Sequence, residues 1–360
     1  MSTTSTLSRA RRVAVLLAMS TMAIAACGGG DGTTTGSGQT TGAGSAPVTA
    51  APSTAEGTTV DDTTVENTTV DTTGDDTTGD DTNGADSALD VDAPDLGRVV
   101  SLAEEFILAD LLSLGIEPVA STATVDTAGF QGLDEFDTSA IEVLPQTTLN
   151  LEYLASLQPD TIVTLQFWVD QVGAGVLEGI ADVVIIPDGL SGAERIEALG
   201  DLVGRPEHAA TVAAAVDRAQ QAAIDQVPGG CEISLAVVYP GPTIAAFVDG
   251  PWELPSAFQA VGCELVPGPD VAAPDANGRA FLSEEQLGLL AAPTLVLMQN
   301  DTVDGETAAL DQVSSGAIWQ TIPAVAANHV VIIDRLGYPG AQGLIRFYGE
   351  VAGMLAAAGS

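Results

Sequence analysis

Side chains able to do chemistry are few in this sequence, and their spacing does not assemble a catalytic centre. The two histidines, His208 and His329, lie far apart and outside any HExxH or CxxC context. No GxSxG elbow, Walker loop or GxGxxG occurs. Carboxylates abound, 49 Asp plus Glu against 10 basic residues that are all Arg, so two acids close in sequence carry no catalytic message. What remains is a set of large rings and a few charges suited to gripping a guest rather than transforming it: Phe106, Phe167, Trp168, Tyr239, Trp252 and Tyr338, with Glu104, Glu105 and Arg335. Rings give large rigid contact at low entropic cost. A guanidinium fork suits paired hydroxamate or carboxylate oxygens. The competing roles are core packing for the rings, to which Trp319 is assigned, and a surface ion pair for Arg335.

For these residues to converge, they must sit at the carboxyl ends of neighbouring parallel strands. Apolar runs at 98–102, 118–120, 161–165 and 183–186 read as strands, with helices expected over 105–114, closed by Gly115, and over 151–157. Residues 193–227 are helical in pattern, broken once at Gly204-Arg205-Pro206, and Pro206 suits the first turn of a new helix. A second series follows: strands at 233–239, 264–266, 294–298 and 330–334, and helices at 255–261, 283–291 and 343–358. Phe247 and Trp252 fall in what reads as a long loop after Tyr239. Short apolar strands alternating with helices predict an α/β fold of two Rossmann-like lobes with parallel sheets, joined by one long helix. The expected limits are 96–190 for the first lobe, 191–228 for the connecting segment and 229–360 for the second lobe.

The N-terminus carries an address. Arg9, Arg11 and Arg12 precede a short apolar stretch, Val13 to Ile24, too brief to span a bilayer. Ile24-Ala25-Ala26-Cys27 resembles a bacterial lipobox, which implies a signal peptide over 1–27, cleavage before Cys27 and lipidation of its thiol. Residues 28–95 are rich in Thr, Gly and Asp, with acidic residues and no basic one. Such composition buries little, so a disordered tether with a reach of about 45 Å is expected. In an oxidising compartment the remaining pair, Cys231 and Cys263, suits a disulfide, the alternative being two buried thiols. A net charge of −39 argues against nucleic acid and against docking along anionic lipid.

The ordered segments resemble the iron-siderophore and cobalamin class of periplasmic binding proteins. The resemblance rests on Arg98-Val99-Val100-Ser101-Leu102, on Asn150-Leu151-Glu152 running to Pro159-Asp160-Thr161-Ile162-Val163, and on Leu199-Gly200-Asp201-Leu202-Val203-Gly204. Ser283-Glu284-Glu285-Gln286-Leu287 with Pro293-Thr294-Leu295, and Trp319 to Val325 followed by Val330 to Asp334, complete it. It implies a non-enzymatic receptor that holds a ferric chelate between its lobes, with no cofactor or resident metal of its own. It also implies an ABC permease and ATPase as partners, with Glu152 and Glu285 as the acids that dock into the permease. A helix-dipole role is the simpler reading of both acids, and Glu284 competes for the second position. With Glu104 and Glu105 at the first strand end and few cations, an electroneutral or cationic chelate of hydroxamate type fits better than a trianionic catecholate. Cobalamin, haem or another metal chelate satisfies the same resemblance. A hydrolase or a stalked adhesin are the weaker alternatives. The chain is expected to be a monomer held by lipid on the outer face of the cell membrane.

Overall fold

The computed structural model describes residues 94–358, apart from 242, 250 and 251. The expected leader, Cys27 and nearly all of the expected tether lie outside the described residues. The first lobe runs β1 (Val99–Leu102), α1 (Glu104–Ser113), β2 (Ala120–Ala123), β3 (Glu142–Pro145), α2 (Leu151–Ser156), β4 (Thr161–Leu165), α3 (Gln166–Val172), α4 (Ala174–Leu177) and β5 (Asp182–Ile186). Its sheet has the order β3-β2-β1-β4-β5 and is parallel throughout. The central strand β1 is buried along its whole length, which is why it reads as an unbroken apolar run. The strand expected at 118–120 is β2, Ala120–Ala123; pairing with its neighbours already starts at Val119, whose N–H reaches Val99 and whose carbonyl accepts from Glu142, and Pro118 has no N–H to carry it further back.

The connecting segment forms α5 (Gly192–Leu202) and α6 (Pro206–Ile224). Ser191 caps α5 in a reciprocal box with Glu194, and Pro206 occupies the first turn of α6. Ala209, Val212, Ala213, Val216 and Ala223 form the buried stripe of α6, at the spacing of one helix face.

The second lobe runs β6 (Glu232–Tyr239), β7 (Thr243–Phe247), α7 (Glu253–Ala260), β8 (Glu264–Leu265), β9 (Arg279–Leu282), β10 (Thr294–Gln299), α8 (Glu306–Ser314), α9 (Pro323–Ala326), β11 (Val330–Asp334) and α10 (Gly340–Ala358). Its sheet has the order β11-β10-β6-β7-β9, with β8 also paired to β6. Strands β6, β8, β10 and β11 are parallel, as expected. Two corrections concern this lobe. The stretch read as a long loop after Tyr239 contains β7, which turns back antiparallel on β6 and pairs in turn with antiparallel β9. The helix expected over 283–291 is a 3-10 turn, Glu284–Leu289, held by a capping box between Ser283 and Gln286. Gly288 weakens a longer helix there. Cys231 and Cys263 are bonded, with a Cα separation of 4.5 Å, which ties the residue before β6 to the residue before β8.

The lobes share one core. Val99, Ile107 and Val163 of the first lobe belong to the same buried cluster as Val237, Phe258 and Phe347 of the second, with α5 and α6 between them. Inside this seam lies a buried ion triad. Arg195 on α5 donates from Nε to Asp110 Oδ2 on α1 and from Nη2 to Glu253 Oε1 on α7, both at 2.6 Å. Asp110 Oδ1 accepts from the Ala341 N–H at 2.7 Å, and Glu253 Oε2 from the Gly340 N–H at 3.3 Å, so the start of α10 joins the same knot. Gly340 is required there. Its φ is +67°, and a Cβ would stand 2.5 Å from that of Ala109. Burial acts to lower the affinity of Arg195 for its proton, but the two carboxylates more than offset this and hold it ionised. Burial also pushes the Glu253 carboxyl up, against the pull of Arg195.

A second clip joins the lobes. In the loop before β3, the Gln131 Oε1 accepts from Asn300 Nδ2 at 2.8 Å, and the Thr302 hydroxyl, 3.1 Å away, is shared between it and Asn300 Oδ1. Arg346 on α10 reaches Glu135 at 2.8 Å and the Gly132 carbonyl at 2.9 Å.

Two stability outcomes follow. Arg195→Met leaves two buried carboxylates without their cation and should cost about 3–5 kcal/mol in urea unfolding; a loss below 1 kcal/mol would mean that the knot is not structural. Reducing Cys231–Cys263 opens a loop of sequence separation 32 and should lower stability by about 3–4 kcal/mol on the chain-entropy account, read as a shift of the thermal midpoint with and without reductant.

Candidate functional site

A cavity of about 240 Å³ lies between the lobes. From the first lobe it takes Glu104 and Phe106 at the junction of β1 and α1, and Thr124 just after β2. The second lobe contributes Tyr239 and Phe247 at the ends of β6 and β7, Trp252 at the N-cap of α7, Arg279 at the start of β9, and Arg335 and Tyr338 after β11. Val237 and Met298 form its floor, so it reaches back over the sheet face rather than resting only on the strand ends.

Glu104 and Glu105 open α1, and Glu104 holds a φ of +57°, a left-handed conformation rare for a residue with a side chain. Its carboxylate accepts from Thr124 Oγ1 at 3.1 Å and from the Gln146 amide. The Thr124 hydroxyl also lies 2.7 Å from Glu105 Oε2, and the Thr124 N–H lies 3.3 Å from both Glu105 oxygens. A hydroxyl has one proton to donate, so Thr124 satisfies one carboxylate at a time. Burial, then the neighbouring Glu105, pushes the Glu104 carboxyl above its ordinary range. Burial raises Glu105 as well.

The aromatic walls are held by their own polar ends. Tyr239 Oη accepts from Arg279 Nη1 at 3.2 Å, with the guanidinium 5.9 Å from the Tyr239 ring centre. Tyr338 donates to Glu350 Oε2 at 2.8 Å, and Arg346 stands 5.6 Å from its ring centre. Burial, then that bond to Glu350, raises the Tyr338 phenol and keeps it neutral. Both cavity arginines already have partners. Arg279 pairs with Asp275 at 3.0 Å. Arg335 spends Nε and Nη2 on Glu306 Oε1 at 3.0 and 2.6 Å, and Glu306 is wholly buried. The site therefore presents rings, a polar carboxylate corner and two compensated cations.

Of the residues picked out from the sequence, Glu104, Phe106, Tyr239, Trp252, Arg335 and Tyr338 line this cavity. Glu105 sits behind its wall, 2% exposed. Phe167 and Trp168 do not line it. The chain coils into α3 directly at Gln166, which leaves Phe167 exposed and lays Trp168 against the core. Phe247 and Arg279 escaped selection as site residues because β7 and β9 were unread, while Thr124, just after β2, and Met298, within β10, are marked by no local pattern. The two acids read as docking residues, Glu152 and Glu285, are both exposed at the second position of a short helical turn, behind the caps Asn150 and Ser283. Hydrogen bonds from its own N–H and from Ser283 hold the Glu285 carboxyl below its ordinary range. His208 lies on α6, His329 just before β11, and Trp319 in the core. Among the described residues no three His, Cys, Asp or Glu side chains converge as metal ligands, and no helix is long and apolar enough to cross a membrane.

Several solved structures share this fold. The triscatecholate siderophore binding protein FeuA of Bacillus subtilis, in complex with ferri-bacillibactin, superposes with a TM-score of 0.61 at 15% identity, over 74% of this chain and 95% of its own. The siderophore binding protein FhuD of Vibrio cholerae, bound to Fe3+-Desferal, gives 0.58 at 19% identity, over 73% and 99%. SirA of Staphylococcus aureus with staphyloferrin B gives 0.58 at 17% identity, over 72% and 92%. A search of curated protein sequences finds no match. Residues 100–335, well over half the chain, match the family model described as periplasmic binding protein. On that match, and with a fold of two sheet-based lobes around a ring-lined cleft, this chain belongs to the periplasmic binding protein family.

Proposed function

We propose that this chain is the extracytoplasmic solute-binding component of an ABC importer, holding a ferric siderophore of hydroxamate type in the cleft around Glu104 and Trp252 and handing it to the permease. Its family binds solutes rather than transforming them. The observation that carries the choice of ligand is the charge balance of the cleft. Arg279 and Arg335 are each tied to a carboxylate, while Glu104 faces the cavity beside Glu105. A trianionic catecholate complex needs free cations, whereas a neutral or cationic trihydroxamate can lay its chelate ring on Tyr239, Trp252 and Tyr338 and its charge toward Glu104. Neighbours in fold carry iron chelates of both kinds, Fe3+-Desferal in FhuD and ferri-bacillibactin in FeuA, which supports an iron chelate as the guest and leaves its class to the charge balance. The cavity is smaller than the roughly 300–1,000 Å³ of pockets that enclose drug-sized ligands, so part of the chelate stays in solvent at the mouth. Iron arrives with its own ligands, and the cleft reads the chelate's outer surface. The protein works as a monomer, anchored by lipid at Cys27 with residues 28–95 as its tether, and it takes no cofactor and no nucleic acid.

The test is a titration of the purified protein with a cationic ferric trihydroxamate and with a ferric tricatecholate, read by tryptophan fluorescence. The hydroxamate should quench, Trp252→Phe should remove most of the change, and Glu104→Gln should weaken binding by about tenfold. Ionised Glu104 is the binding form, and its folded pKa lies above the ordinary range. Affinity should therefore fall as pH drops through that pKa, and Glu104→Gln should flatten the profile. Tight catecholate binding with none for hydroxamate would overturn the ligand class.

Docking is tested separately. Glu152→Arg and Glu285→Arg should each stop iron uptake in cells and leave chelate affinity within about twofold, since exposed charges far from a ligand contribute little to it. Lost affinity in either variant would remove it from the docking role.

A further inference from the structure

A second cavity, about 420 Å³, lies between α5, α6, α7 and α10, with the Arg195 knot in its wall. Small residues, among them Ser191, Gly192 and Ala260, leave the space open. Tyr348 on α10 lines it and is only 5% exposed. Its hydroxyl makes no hydrogen bond to another described residue. Burial, then the charges of Glu253 and Asp217, pushes that phenol up to about 12, so it stays neutral and can accept a hydrogen bond.

The charge of the walls decides what would fit. Two features favour an anion: the N-terminus of α5 and the Arg195 guanidinium. Both are already answered. Glu194 accepts from the Ser191 N–H at 2.9 Å at that helix end, and Arg195 is held between Asp110 and Glu253. Asp217, exposed on α6, adds a further negative charge with no cation paired to it among the described residues.

We propose that this cavity is a second ligand site, distinct from the chelate cleft, which takes a small organic ammonium ion: its charge faces Asp217 and Glu194 and one N–H donates to the Tyr348 hydroxyl. The assignment stands without the siderophore reading, because none of Asp217, Glu194 and Tyr348 lines the cleft.

Calorimetric titration of the purified protein with 1,4-diaminobutane, methylammonium and acetate tests it, at about 0.15 M salt so that loose surface pairing is screened. Diaminobutane should bind saturably at one site and acetate should not bind. Tyr348→Phe removes one hydroxyl and Asp217→Asn changes one exposed charge, so both should fold, and each should weaken diaminobutane by about tenfold. If neither amine binds, the cavity holds only water and the proposal fails. It fails equally if acetate binds in place of the amines, or if both variants bind diaminobutane as the parent does.

Discussion

At the seam of the two lobes one buried cation sets how the helices meet. Arg195 reaches from the connecting segment to Asp110 in the first lobe and Glu253 in the second, and those carboxylates hold the first turn of α10 through the N–H groups of Gly340 and Ala341. Taking three charges out of water is expensive, and an apolar trio could match the stability. What an apolar trio could not supply is direction. Each bond fixes the angle between two elements, so α1, α5, α7 and α10 meet in one arrangement. The shared core and the clip from Gln131 and Glu135 to the second lobe act in the same sense.

The cleft inherits its geometry from that knot. Glu253 lines both cavities and follows Trp252 directly in the chain. The knot thus anchors the start of α7 beside Trp252, and it places a common wall between the inter-lobe cleft and the second cavity. Across the cleft, Glu104 carries a left-handed backbone, whose cost is of order 1–3 kcal/mol. The bonds from Thr124 and Gln146 hold its carboxylate in the resulting position. Strain, burial and a neighbouring like charge concentrate on the one acid that faces the proposed ligand's charge.

Much of this was legible in the sequence. Periodicity found the connecting helices and every parallel strand but β3, which is only partly buried and went unread; the others each bury a face of their own, and burial leaves a pattern within a few residues. Gly115 and Pro206 mark helix ends by local backbone chemistry, which also acts at short range. The antiparallel strands β7 and β9 were missed, since Thr243 to Phe247 is short and sits among Gly and Pro residues that read as loop. Missing them hid Arg279 and left Phe247 without a strand to position it. Phe167 and Trp168 were placed at a strand end, where the sequence pattern was right about β4 but silent on the helix that follows without a turn.

Sequence alone determined the two-lobe α/β plan, the scarcity of catalytic groups, the acid-rich charge balance and the rings Tyr239, Trp252 and Tyr338 as candidates. Only the tertiary structure decided that Arg335 and Arg279 are already paired, that Arg195 lies at the meeting point of four helices, and that Tyr348 lines a second cavity. The reason is distance along the chain. Helix and strand signals come from neighbours a few residues apart, whereas the charge a site offers depends on which carboxylate folds against which guanidinium. Asp110 and Arg195, or Glu306 and Arg335, become partners only once the sheets have brought them together.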